Sequence, residues 1–160
     1  MKNRKYITKY HMIIEILSVI LMAASLGIAI YGMITLPETI PTHFDINGKA
    51  DGYGSPGAML ILPITMFVTF GIISLLIHLV SPEFWNMPFK VKEEKKEIVY
   101  KDMVYMMCMF ELETAVYTLY MTYMMFLQVM TQTMLVTVIY TVALIFTMIY
   151  YCVIAYKHNK

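Results

Sequence analysis

The sequence predicts an all-α integral membrane protein, a four-helix bundle with both termini on the cytoplasmic side and a structured extracytoplasmic loop between the first two helices. Three observations carry that expectation. The 160 residues are 59% hydrophobic and only 14% charged, more apolar than a water-facing surface tolerates. Four runs are long enough to cross a hydrocarbon core, which takes about 20 predominantly apolar residues. The basic residues gather where alternate ends of those runs meet water.

The runs cover residues 12–35, 58–80, 103–130 and 133–155, within a single transmembrane domain of residues 1–160. The first is too long for a cleavable signal segment and reads as a retained helix. Lys2, Arg4, Lys5 and Lys9 precede it, Lys90, Lys92, Lys95, Lys96 and Lys101 lie in the charged segment 81–102, and Lys157 and Lys160 follow the fourth run. Lys49 alone stands on the opposite side. The positive-inside rule therefore puts 81–102 and both termini in the cytoplasm and the 36–57 connection outside. The net charge of +1 hides this asymmetry; the basic residues serve as topology signals and contacts for membrane lipid, and no nucleic-acid partner is expected.

In helix one, Ala23 with Gly27 and Ser25 with Ala29 place small residues four apart, which lets a neighbouring helix approach closely, within the chain or in an oligomer. Helix two carries Pro63, which is expected to kink its first turns, and ends at His78. Phe84, Trp85 and Phe89 follow as interface aromatics. Cys108 and Cys152 fall inside helices, where a thiol is a small packing group, and no CxxC signature accompanies them.

Helix three departs from the pattern because it holds Glu111 and Glu113. A carboxylate at the bilayer centre costs about 2.5–3.5 kcal/mol if the insertion value for Asp extends to Glu, while a good apolar residue returns about 0.3–0.6. This helix is not expected to face lipid all round. Glu111, Thr114, Thr118 and Thr122 follow one helical face; Glu113, Tyr117 and Tyr120 form a second track, about 200° away. Helix four answers with Thr133, Thr137, Tyr140 and Thr141 along one side, the residue types of interhelical hydrogen bonding. Glu15, His78, Glu111 and Glu113 all fall in the inner half of the membrane, and His78 with one or more of the three glutamates is expected to form an intramembrane polar cluster, either a proton, ion or headgroup site or a pair that orients the bundle.

The connection LPETIPTHFDINGKADGYGSP holds the most varied chemistry of the chain. Pro41 keeps Ile40 extended, Asn47-Gly48 is a tight-turn signal, and the flanks alternate loosely, so a short hairpin or compact Ω-like cap is expected. His43 and Asp45 lie on the same side of an extended segment, within reach of a His-carboxylate bond. With Asp51 they make a candidate zinc set, although their spacing matches no metal motif. No nucleophile accompanies the histidine, which argues against an enzyme and calls for no cofactor.

These residues resemble a known signature. Pro41, His43, Phe44, Gly48, Asp51 and Gly54 with Ser55 are similar to the hallmark of a bacterial membrane domain of unknown function that forms the N-terminal part of SdpI-type immunity proteins. The resemblance covers residues 12–80 and finds no counterpart in the second half of the chain. It implies a Gram-positive membrane protein that protects a producing cell from a secreted killing peptide; the best-known member also sequesters a repressor at the membrane. The expectation is thus a non-enzymatic protein that binds or senses an antimicrobial peptide through Pro41, His43, Phe44, Asp45, Gly48 and Asp51, with a cytoplasmic regulator or membrane protein as further partner. The alternatives are a transport or lipid-handling protein using its intramembrane carboxylates, and, last, a membrane enzyme.

Overall fold

The computed structural model describes residues 5–45, 48–129 and 132–160. Four helices run up and down, α1 (Lys9–Thr35), α2 (Ile61–Leu79), α3 (Lys96–Phe126) and α4 (Thr133–His158), with a two-stranded hairpin, β1 (Ile40–Phe44) and β2 (Ala50–Gly54), between α1 and α2. Among the described residues α1, α2 with its preceding turn, and α4 are long and apolar enough to cross a membrane. The molecule is a helical, multi-pass membrane protein. Helix α3 has the length, but its tyrosines, threonines and charged residues, Glu111 and Glu113 among them, make it less apolar, and it takes the sheltered place: α1, α2 and α4 all pack on it.

The α1–α3 seam is the spine of the bundle. In α1 the buried residues are His11, Glu15, Ser18, Met22, Ser25, Ala29 and Gly32, and in α3 they include Val104, Cys108, Glu111, Ala115, Thr118 and Thr122. Both series step by four and three residues, the spacing of a continuous seam between two helices. Most members are small, so the backbones come close. Ser18, Ser25 and Thr118 turn their hydroxyls back onto their own helix, at 2.9, 2.9 and 2.7 Å from the carbonyls of Ile14, Leu21 and Thr114. Each then packs almost as an apolar residue. The pair Ser25 and Ala29 thus serves packing within the chain, whereas Ala23 and Gly27 are exposed on the other side of α1.

Element boundaries differ from expectation where local chemistry intervenes. Thr8 caps α1, its side chain 3.5 Å from the His11 backbone N–H while His11 Nδ1 accepts the Thr8 N–H at 2.8 Å. This is a capping box with histidine in the place usually held by Glu or Gln. Pro63 falls in the first turn of α2, after a 3-10 turn at Pro56–Leu60, where a missing N–H costs no helical hydrogen bond. Helix α3 starts at Lys96 rather than Met103, so much of the expected charged loop is helical. It stops at Phe126 because Gln128 takes a left-handed φ of 56°, with Val129 N–H returning to the Met124 carbonyl at 3.1 Å. Met130, the expected end, and Asn47 of the turn dipeptide lie outside the described residues.

The end that carries both termini has its own core. Tyr6, Ile77, Val99, Tyr100, Met103, Val104, Cys108 and Ala155 are buried together, with Trp85, Met87 and Phe89 packed on them. Segment 81–95 is therefore packed against the bundle. Asn159 holds it there, accepting from the Lys92 backbone N–H at 2.9 Å and donating to the Lys90 carbonyl at 3.0 Å.

Candidate functional site

The hairpin closes the opposite end. Ile40, fully buried with Ala29 and Met59, anchors β1 to α1 and to the turn before α2. The strands are antiparallel, with Pro41 opposite Tyr53, His43 opposite Gly52 and Phe44 opposite Ala50. Asp45 Oδ1 accepts the Lys49 N–H at 2.8 Å, and Gly48 has φ 79°, a conformation that favours glycine. Gly52 is required for another reason: a Cβ there would sit 2.8 Å from the Cβ of His43.

His43 Nδ1 lies 2.5 Å from Asp51 Oδ1, across the hairpin. The expected partner along the strand, Asp45, is instead engaged in the turn. The pair is exposed, 74% for the His43 side chain and 47% for that of Asp51. Beside it Tyr53 is also exposed, while Phe44 is half-buried. Among the described residues no three His, Cys, Asp or Glu side chains converge on a metal position, and the candidate set His43, Asp45 and Asp51 is no exception.

At the level of the membrane, the four expected cluster residues divide. His78 Nε2 is 3.0 Å from both carboxylate oxygens of Glu15, and Ser74 donates to Glu15 Oε1 at 3.2 Å. This joins α1 to α2 in the wall of a groove of about 430 Å³, otherwise lined by Met12, Ile16, Val19, Ile20 and Phe70. Glu111 stands in the α1–α3 seam within electrostatic reach of Glu15, 1% exposed and with neither oxygen hydrogen-bonded among the described residues. Glu113 leaves the group. It points from the other side of α3 to α4, where Thr147 donates to Oε1 at 2.5 Å.

Three further groups have no signal in the sequence. His11 lies against Tyr105 with ring centroids 3.7 Å apart. Asp102 meets His158 Nδ1 at 2.7 Å, and Asn159 ties down the 81–95 segment. None belongs to a motif. Each joins residues far apart in the chain, and no local spacing announces such a pair.

A helical multi-pass membrane protein with a polar hairpin over one end is what these features define. The family model described as "Domain of unknown function (DUF1648)" matches residues 19–67, less than a third of the chain. The matched segment runs from α1 through the whole hairpin into α2. It leaves out Glu15, His78, Glu111 and Glu113. That family is broadly linked to SdpI-like proteins, and the match falls on the segment carrying the resemblance. An uncharacterized protein of Archaeoglobus fulgidus is 36% identical over 73 residues, covering 38% of this chain and 40% of that protein. The chain thus spans well under half of that relative's length. No solved structure matches.

Proposed function

We propose that this protein is non-enzymatic and binds a secreted antimicrobial peptide through its hairpin, in the manner of an immunity or sensing protein. The observation that carries the reading is the overlap between the hairpin and the matched segment: the exposed His43–Asp51 pair and Tyr53 sit inside residues 19–67. A two-stranded sheet also leaves outer backbone edges on both strands, to which an extended peptide can add as a further strand. Lysine asymmetry supports an extracytoplasmic hairpin and cytoplasmic termini. A cytoplasmic regulator or a second membrane protein would receive the signal at the end that carries the termini.

Expression in a sensitive strain should raise resistance to a cognate peptide, and His43→Ala with Asp51→Ala should abolish the gain while leaving the amount of membrane-inserted protein unchanged. Absence of protection across a panel of secreted peptides would refute the reading. A second reading, lipid handling or transport, is favoured by one observation: Glu15, Ser74 and His78 line an otherwise apolar groove between two membrane helices. Its mark is pH-dependent lipid binding lost in Glu15→Gln and indifferent to His43. An enzymatic reading ranks last, for want of a nucleophile beside His43.

A further inference from the structure

Glu113 poses a problem that neither reading uses. It lies about midway along α3, and about 25 Å of helix separates it from Lys96 at a rise of about 1.5 Å per residue. An ionisable side chain at that depth is expected to have a partner. Thr147 satisfies one oxygen, but the other is buried and without a hydrogen bond, and no cationic side chain pairs with Glu113 among the described residues. Glu15 differs, because His78 and Ser74 already answer it.

Around Glu113 the α3–α4 interface opens into a cavity of about 380 Å³, within the range of small-molecule sites. Tyr117 and Tyr120 enter it from α3 and Tyr140 from α4. Tyr117 and Tyr140 are stacked, with centroids 4.2 Å apart and planes 8° from parallel. Their hydroxyls are occupied across the helix pair, Tyr117 with Thr137 and Tyr140 with Thr114, each at 3.0 Å. The rings are thereby locked against each other, and with Tyr120 they give the cavity an almost wholly apolar aromatic wall. Val116 and Ala143 complete an apolar wall, and exposed Val116 marks the opening toward lipid.

We propose that this cavity binds an organic cation that partitions into the membrane, a protonated or quaternary amine or phosphonium with an apolar body, with Glu113 as counter-charge and Tyr117, Tyr120 and Tyr140 as its aromatic wall. The Glu113 carboxylate lies behind this apolar wall with its free oxygen buried, and its charge acts on a bound cation through the low-dielectric interior. Aromatic faces attract cations most strongly where water is excluded. A lipid acyl chain would fill the apolar wall and leave the carboxylate unanswered. An inorganic cation would find too few oxygen ligands. The inference is independent of peptide recognition by the hairpin and of the α1–α2 groove, since Glu113 projects from the side of α3 away from Glu111.

The test is equilibrium dialysis of radiolabelled tetraphenylphosphonium against the full chain in lipid nanodiscs, with protein-free discs as background and triphenylphosphine oxide as the uncharged analogue. Saturable binding of the cation and not of the neutral analogue is expected. Glu113→Gln, which keeps shape and removes charge, should weaken binding by about tenfold or more. Ala143→Leu should block it from α4 without touching the carboxylate, and thermal unfolding of both variants reports that the bundle is intact. Cation binding no greater than background, equal binding of the neutral analogue, or undiminished binding by Glu113→Gln would each overturn the proposal.

Discussion

At the scale of single residues, the buried carboxylates separate by what surrounds them. Glu15 has two polar partners and Glu111 has none among the described residues, so substitutions at the two sites should move stability in opposite directions. Glu111→Met removes an unsatisfied buried group at similar volume and should raise stability in detergent by about 1–3 kcal/mol. Glu15→Ala leaves His78 and Ser74 unpartnered and should lower it by a similar about 1–3 kcal/mol. Thermal unfolding of the two variants side by side checks both signs. In the hairpin, Gly52→Val drives a side chain into His43 and should open the strands, seen as faster cleavage by an added protease while the helices stay protected. The sequence made the residue types legible but not every partner. Its offsets put Glu111, Thr114, Thr118 and Thr122 on one track and Glu113, Tyr117 and Tyr120 on another; the first is buried in the bundle, and the second lines the α3–α4 cavity. Asp45 is visible as a neighbour of His43 because residues along one strand are adjacent in sequence, whereas the register that brings Asp51 across is set by the turn.

At the scale of elements, the long apolar runs announced α1, α2 and α4, while the helix ends depended on caps that composition does not display. Gln128 illustrates this. Its left-handed backbone closes α3, and Gln128→Gly should stabilise the protein by up to about 1 kcal/mol, since glycine adopts that conformation without the side-chain penalty. The two small-residue pairs of α1 provide a sharper contrast. Ala29→Leu places bulk at a fully buried position of the α1–α3 seam and should cost about 1–3 kcal/mol by overpacking. Ala23→Leu, on the exposed face, should stay within about 0.5 kcal/mol. Periodicity could not choose between these pairs, because both have the same spacing and only the position of the neighbouring helix distinguishes them.

At the scale of the whole molecule, the end that carries both termini is knitted together by contacts between residues distant in sequence. Asp102, in the turns of α3 that precede its apolar run, has its carboxyl pushed above the ordinary value by burial, and His158 opposes that shift in part. A carboxyl whose value is raised on folding favours the folded state when protonated, so that contribution fades as pH rises from about 4 towards neutrality. His158→Ala removes the opposing partner and should steepen the fall, measurable as melting temperature against pH. By composition the charged segment 81–102 reads as a cytoplasmic loop, yet Asn159 and the terminal core hold its first part in place and the rest is helix.

The bond between Glu15 and His78 has a consequence for biosynthesis. As the ribosome delivers the chain, α1 and α2 leave the translocon before α3 exists to shield them. A lone acidic side chain would burden that early stage, but an imidazole arriving on the second segment meets the carboxylate of the first at matching depth. The nascent pair can thus settle in lipid with the carboxylate already matched, ready to receive the more polar third helix when translation reaches it.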